Sequence, residues 1–182
     1  MPFLIVAVVL VTVLCLLNLL LTFGVIRKLR AQGEHGHGAQ GDVDISDLVL
    51  PVGSTAPAFA ATTTAGETVS RDGLGAALFG FFSPNCRACK ERLPQFVEAA
   101  REAGDGGRRV LAVVHGDEAE TREQVAALAA VAQVVVEPTD GPLGRGFAVT
   151  GYPVFGLLAA DGTITASGFD PKALSAPVRT AA

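Results

Sequence analysis

Cysteine is scarce in this sequence, and its scarcity excludes more than it permits. Three cysteines occur in 182 residues, and one of them, Cys15, lies inside an apolar run, so the rest of the chain holds only Cys86 and Cys89. That count excludes a structural disulfide framework. It also leaves a tetrahedral zinc site two ligands short, because a lone CxxC supplies two of four and no second CxxC or histidine pair follows it. An excess of basic charge is missing too. From Pro51 onward 11 basic residues stand against 14 acidic ones, with no basic stripe or patch. Nucleic acid, which is recognised through such a patch, is thereby excluded as a partner.

The N-terminal end lacks charge altogether. Phe3 to Ile26 are 24 residues without a charged side chain, interrupted mainly by Thr12, Asn18 and Thr22. A helix needs about 20 residues to cross a hydrocarbon core. A cleaved signal peptide wants a basic start, a shorter apolar core and small residues before its cleavage site. Met1-Pro2 carries no basic side chain, the core is too long, and Arg27-Lys28-Leu29-Arg30 follows directly. Val13-Leu14 ahead of Cys15 lacks the small residues of a lipoprotein site. The sequence therefore predicts a permanent transmembrane helix over residues 3–26, a flexible linker over 27–50 and one domain over 51–182. Orientation is contested. The basic cluster lies C-terminal to the span, which by the positive-inside rule argues for a cytoplasmic domain; the chemistry and resemblance below argue for an extracytoplasmic one. His35 and His37 sit in the Gly-rich linker, and two imidazoles on a mobile loop are a poor metal site.

Past the linker, apolar patterning alternates between two periods. Ala56–Ala61 and Glu67–Ser70 read as short strands around a Thr-rich turn, and Ala76–Phe82 as a buried strand because its apolarity is continuous. Arg87–Ala103 sets Leu93, Phe96, Val97 and Ala100 on one helical face, with Pro94 bending the helix and Gly104 stopping it. Arg109–His115 is a second buried strand. Glu118–Val131 is a helix with Val125, Leu128 and Ala129 inward, and Val134–Val136 a short strand. Asp140–Ala148 is Gly-rich with one helical turn. Pro153–Ala159 and Thr163–Gly168 form strands across Asp161-Gly162, and Pro171–Val178 a last helix. This order predicts an α/β fold, a mixed central sheet with helices on both faces.

The two cysteines fall where the first buried strand hands over to a helix. Cys86 then lies at a helix N-terminus, where unpaired N–H groups and the macrodipole favour a negative charge. A thiolate is such a charge and is the reactive form of cysteine. Cysteines at i and i+3 can attack a partner disulfide and then resolve the mixed disulfide. Cys86 at the helix end is the attacker, and Cys89, one turn in, the buried resolver. Arg87 and Lys90 add positive charge that tunes Cys86, a smaller effect because water screens it. His115, at a strand end, reads as a structural residue. Gly151-Tyr152-Pro153 leads the strand beginning at Val154, where a proline costs no ladder bond.

These features together resemble the thioredoxin superfamily, specifically its membrane-anchored thiol–disulfide oxidoreductases of the TlpA/ResA type in the redoxin/AhpC-TSA grouping. The match covers about Val52–Asp170. It rests on Gly53-Ser54-Thr55-Ala56-Pro57-Ala58-Phe59, Gly66-Glu67-Thr68-Val69, Phe81-Phe82-Ser83-Pro84-Asn85-Cys86-Arg87-Ala88-Cys89-Lys90, Val149-Thr150-Gly151-Tyr152-Pro153 and Asp161-Gly162. The resemblance implies a thioredoxin-like fold, Cys86 as nucleophile, Cys89 as resolving thiol, and a cis Pro153 beside them. Tyr152 and Pro153 then bind the partner peptide through backbone groups. The implied partners are protein thiols and disulfides, with a membrane or soluble redox protein as electron donor or acceptor, and no cofactor. Three positions depart from thioredoxin: Gly80 replaces the acidic residue six places before the first cysteine, Asn85 the tryptophan just before it, and Arg87-Ala88 the dipeptide containing proline.

Two rival functions compete. A peroxiredoxin-like thiol peroxidase needs Pro-x-x-x-Thr-x-x-Cys; Ser83 can stand for the threonine, but Phe79 occupies the proline position. An anchored copper-binding or metal-delivery module would use Cys86 and Cys89 as thiolate ligands, since copper(I) favours them. The sequence favours dithiol–disulfide exchange with protein partners over both.

Overall fold

The computed structural model describes Phe3, Ile45 and residues 48–175. The expected membrane span beyond Phe3, the linker histidines and the chain after Ser175 lie outside the described residues. Among those described, no helix is long and apolar enough to cross a membrane.

Ile45 and Leu48–Leu50, assigned to the linker from the sequence, pack on the domain. Val49 is buried in the core, Leu50 N–H donates to the Phe147 carbonyl at 2.9 Å, and Thr150 N–H donates to that of Leu48 at 3.0 Å. Three consecutive apolar side chains find cover there that a solvated linker does not offer. The first regular elements are a short antiparallel hairpin, β1 (Ala60–Thr62) and β2 (Thr68–Ser70). The strand expected from Ala56 begins only at Ala60, after Pro57, which has no N–H for a ladder. A single turn follows, α1 (Arg71–Leu74), whose N-cap Ser70 accepts the Gly73 N–H at 3.2 Å. Four residues that include a glycine carry no period, so the sequence does not announce it.

The main body then runs β3 (Ala77–Phe82), α2 (Arg87–Asp105), β4 (Arg109–His115), α3 (Glu118–Leu128), β5 (Gln133–Glu137), α4 (Pro142–Gly146), β6 (Val154–Leu158), β7 (Ile164–Gly168) and α5 (Pro171–Ser175). The sheet order is β5-β4-β3-β6-β7. β3, β4 and β5 are mutually parallel, β6 pairs antiparallel with β3, and β7 pairs antiparallel with β6. β3 is central and buried at every residue, which is why its sequence shows no alternation.

Alternate residues of β3 feed two cores. Phe79 and Phe81 point with Leu111, Val113, Leu143, Phe147 and Val154 to the face covered by the hairpin, α1 and α4. Leu78 and Phe82 point with Ala112, Val114, Phe96, Leu128 and Phe155 to the face covered by α2, α3 and α5. The mixed sheet with helices on both faces is therefore present as expected. Two helix details differ. Gly104 lies within α2, which ends at Asp105; Gly106 caps it and Gly107 takes φ of 75°, a conformation that glycine adopts without penalty. In α3 the buried residues are Thr121, Gln124 and Leu128, with Ala129 exposed. Gln124 turns inward because its Nε2 donates to the Ser83 carbonyl at 3.2 Å, anchoring the loop after β3.

Candidate active site

The apolar strand β3 delivers the chain to the C-terminal edge of the sheet, and Ser83-Pro84-Asn85 turns it into α2. Cys86 is the N-cap of that helix, in extended conformation, and its Sγ accepts the Cys89 N–H at 3.0 Å. A sulfur there meets an otherwise unpaired helix donor and the positive end of the macrodipole, both of which stabilise a thiolate. The backbone anchors the same turn, with Cys86 N–H donating to the Ser83 carbonyl at 3.2 Å and Lys90 N–H to that of Cys86 at 3.3 Å.

Cys86 and Cys89 are joined as a disulfide, their Cα atoms 5.2 Å apart. Their environments differ. Cys86 is half-buried at the surface, whereas Cys89 is completely buried among Phe82, Phe96 and Ala100. The first sulfur is open to the surface and the second is not. Arg87 and Lys90 are both exposed. The Arg87 guanidinium forms an ion pair with Glu91 at 2.8 Å, so a neighbouring carboxylate offsets its charge at the cysteine.

A distant segment completes the site. The Tyr152–Pro153 peptide bond is cis, the isomer that the resemblance implies, and Pro153 is buried at the head of β6. The Tyr152 carbonyl oxygen lies 3.4 Å from Cys86 Sγ, within reach of a thiol donor at that sulfur. Antiparallel pairing of β6 with β3, Phe81 opposite Val154, brings this loop to the cysteines. The structure thus gathers Cys86, Cys89, Tyr152 and Pro153 at one place, with Arg87 and Lys90 at its rim.

Gly80 faces the α2 side of the sheet, where a Cβ would stand 2.7 Å from Phe96 Cε2 and 3.1 Å from Phe155 Cδ1. The position of the thioredoxin acid is thus filled by aromatic rings. The sheet carries instead a buried pair that sequence reasoning passed over. β4 and β5 set His115 directly opposite Glu137, with His115 Nε2 3.4 Å from Glu137 Oε1 and both residues buried. The Glu137 carboxylate is otherwise engaged, accepting the Leu143 N–H at 3.0 Å and the Gly144 N–H at 2.7 Å. Neither ring nitrogen of His115 makes a well-formed hydrogen bond, although the Pro138 and Thr139 backbone lies close enough to favour its charged form. A buried polar group left so poorly paired costs about 1–3 kcal/mol. Burial lowers the His115 pKa, and the Glu137 carboxylate opposes that shift. The imidazole lies against the Tyr152 ring, centroids 5.1 Å apart. Burial, and then the Glu137 charge, raise the Tyr152 pKa and keep its phenol neutral. A strand-end histidine carries no sequence signal of this arrangement; only strand register reveals its partner.

A shallow groove of about 150 Å³ beside the cysteines is lined by Pro84, Lys90, Leu93, Glu120, Glu123 and Gln124. A cavity of about 260 Å³ lies at the opposite end of α2, lined among others by Leu78, Glu102 and Arg108, away from the sulfurs.

The AhpC/TSA family model matches residues 52–166. No curated protein matches the sequence. Among solved structures, the chain is similar to a candidate thiol:disulfide interchange protein DsbE from Chlorobium tepidum, with 26% identity, a TM-score of 0.53 and coverage of 69% of this chain and 92% of that one. It is also similar to a thiol:disulfide interchange protein from Bacteroides sp., with 20% identity, a TM-score of 0.57 and coverage of 71% and 94%. StoA from Bacillus subtilis is 19% identical with a TM-score of 0.53, and the match covers 62% and 87%. The latter two likenesses speak to the fold alone.

Proposed function

The chain belongs to the AhpC/TSA family, and on that premise we propose that it is a thioredoxin-like protein of the TlpA/ResA type that exchanges dithiol for disulfide with protein partners through Cys86 and Cys89. The observation that carries this reading is the asymmetry of the pair. One sulfur caps a helix at the surface, 3.0 Å from a backbone N–H and 3.4 Å from the Tyr152 carbonyl, and the other is sealed in the core. The surface-accessible Cys86 thiolate attacks a partner disulfide, one partner sulfur leaves as thiolate, and a mixed disulfide forms. Cys89 then attacks Cys86 Sγ, closing the Cys86–Cys89 disulfide and releasing the reduced partner. In the reverse direction the same steps oxidise a partner dithiol. The backbone at Tyr152 and Pro153 aligns the extended partner chain, and Lys90 adds the positive charge that Glu91 offsets at Arg87.

The peroxidase reading gains nothing from the geometry. Phe79, at the position where that motif needs proline, is part of the buried aromatic cluster with Phe81 and Phe147.

The activity is tested by following reduction of insulin disulfides by the purified protein with a small dithiol as electron source. Wild-type protein should accelerate it and Cys86→Ser should not; equal rates would overturn the reading. We further infer that the domain is tethered by the uncharged run Phe3–Ile26 and stands outside the cytoplasm. The support is the length of that run and the persistence of disulfide chemistry in oxidising compartments. Labelling of Cys86 in intact cells by a membrane-impermeant thiol reagent after mild reduction supports the outside placement. Labelling only after lysis refutes it.

A further inference from the structure

We propose that His115, braced by Glu137 and packed against the Tyr152 ring, holds a proton when the cysteine pair is reduced, in a site where Gly80 leaves no acidic residue to hold one. The inference rests on the exchange reaction proposed above. His115 is a positioning residue, acting on Cys86 through Tyr152 rather than by contact with the reacting sulfurs.

Three observations lead to it. The site has no acidic residue at position 80, and the rings of Phe96 and Phe155 occupy the space one would need. The imidazole is buried with both nitrogens lacking well-formed hydrogen bonds, an arrangement that a purely structural residue does not require. It is also connected to the cysteines: Glu137 at 3.4 Å on one side, the Tyr152 ring at 5.1 Å on the other, and the Tyr152 carbonyl 3.4 Å from Cys86 Sγ. The pocket is built around this ring, since a Cβ at Gly144 would overlap His115 Cε1.

A partner dithiol gives two electrons and two protons to the Cys86–Cys89 disulfide and becomes a disulfide. One proton ends on the Cys89 sulfur. Cys86, stabilised by the helix N-terminus, remains a thiolate, and the second proton rests on the imidazole on the side facing Glu137. In the disulfide form no negative sulfur is present and the desolvated imidazole is neutral, consistent with its lowered pKa. Formation of the thiolate favours the imidazolium, so reduction and protonation are coupled. The groups that face His115 are few. Glu137 comes from β5, the backbone of Pro138 and Thr139 from the loop after it, Tyr152 from the loop before β6, and Phe81 from β3, while α4 presents the backbone of Gly144. Arg145 on α4 is exposed.

The test is an NMR titration of imidazole resonances in the full chain, with the cysteines as disulfide and as dithiol. Loss of a signal in His115→Gln assigns it apart from His35 and His37. The His115 midpoint should lie higher in the dithiol form by about half a pH unit or more, and Glu137→Gln should lower it in both forms. Equal midpoints in the two forms would overturn the proposal. Where His115→Gln does not fold, His35→Gln and His37→Gln assign the signal by elimination. Reduction by a small dithiol suffices, so a chain that exchanges with no protein partner still yields this comparison, and the two failures remain distinct.

Discussion

Replacing Gly80 tests whether packing explains the absence of an acid beside the cysteines. A Cβ at residue 80 would stand 2.7 and 3.0 Å from Phe96 Cε2 and Cζ and 3.1 Å from Phe155 Cδ1. Neither ring can swing away cheaply. Both are completely buried, they stack at 5.3 Å, and Phe82 meets the Phe96 ring edge at 5.1 Å. Overpacking a filled core costs about 1–3 kcal/mol. Relief of glycine's backbone entropy offsets about 0.5–1 kcal/mol of that, so Gly80→Ala should destabilise by about 0.5–2 kcal/mol. For a domain of this size each kcal/mol moves Tm by about 4 °C, giving a fall of roughly 2–8 °C by circular dichroism. Gly80→Asp adds an unpaired carboxylate in an apolar layer and should lose several kcal/mol more. Pairing Gly80→Ala with Phe96→Leu should recover part of the first loss, a coupling that a double-mutant cycle reads directly. A Gly80→Ala protein that melts at or above the wild-type temperature would refute the steric argument.

The buried pair yields two further predictions. Glu137→Ala strips the acceptor from the Leu143 and Gly144 N–H groups, and losing two buried hydrogen bonds should cost about 2–5 kcal/mol in urea unfolding. A loss below about 1 kcal/mol would show that water replaces the carboxylate at no cost. His115 has its pKa depressed, first by burial. As pH falls through about 6.5 the unfolded chain therefore binds a proton before the folded one does. Stability of the disulfide form should decline below that pH until the folded-state pKa is reached. The urea midpoint of wild-type protein should thus fall between about pH 7.5 and 5.5 by more than that of His115→Gln; equal falls would contradict the assignment.

Much of this architecture can be read from residue order. Continuous apolarity marks β3 and β4 as central strands, and a CxxC at a strand-to-helix junction is enough to place one sulfur at a helix cap. Tyr152 and Pro153, 66 residues from Cys86 at Tyr152, are legible only by resemblance, because nothing local in a Tyr-Pro dipeptide points to a cysteine. The misses have local causes. α1 is a single turn without a period. The end of α2 is set by Gly106 and Gly107, whose geometry a nearer glycine mimics in sequence. The inward face of α3 carries Thr121 and Gln124, polar residues that hydrogen-bond to Asp117 and Ser83, so an apolar pattern misses it. Arg87 reads as a charge available to Cys86, but Glu91, one turn along the helix, takes up its guanidinium. His115 and Glu137 are joined only by the β4–β5 register, which no single-strand pattern specifies.

The central claim is that Cys86 makes the covalent contact with a partner and Cys89 releases it. The direct measurement is the mass of the adduct formed when Cys89→Ser protein, reduced at Cys86, meets a disulfide-bonded protein and is separated without reductant. A single mixed disulfide mapping to Cys86, absent from Cys86→Ser and resolved in wild-type protein, is the predicted result. An adduct on Cys89 of the Cys86→Ser protein, forming at the same rate, would contradict it.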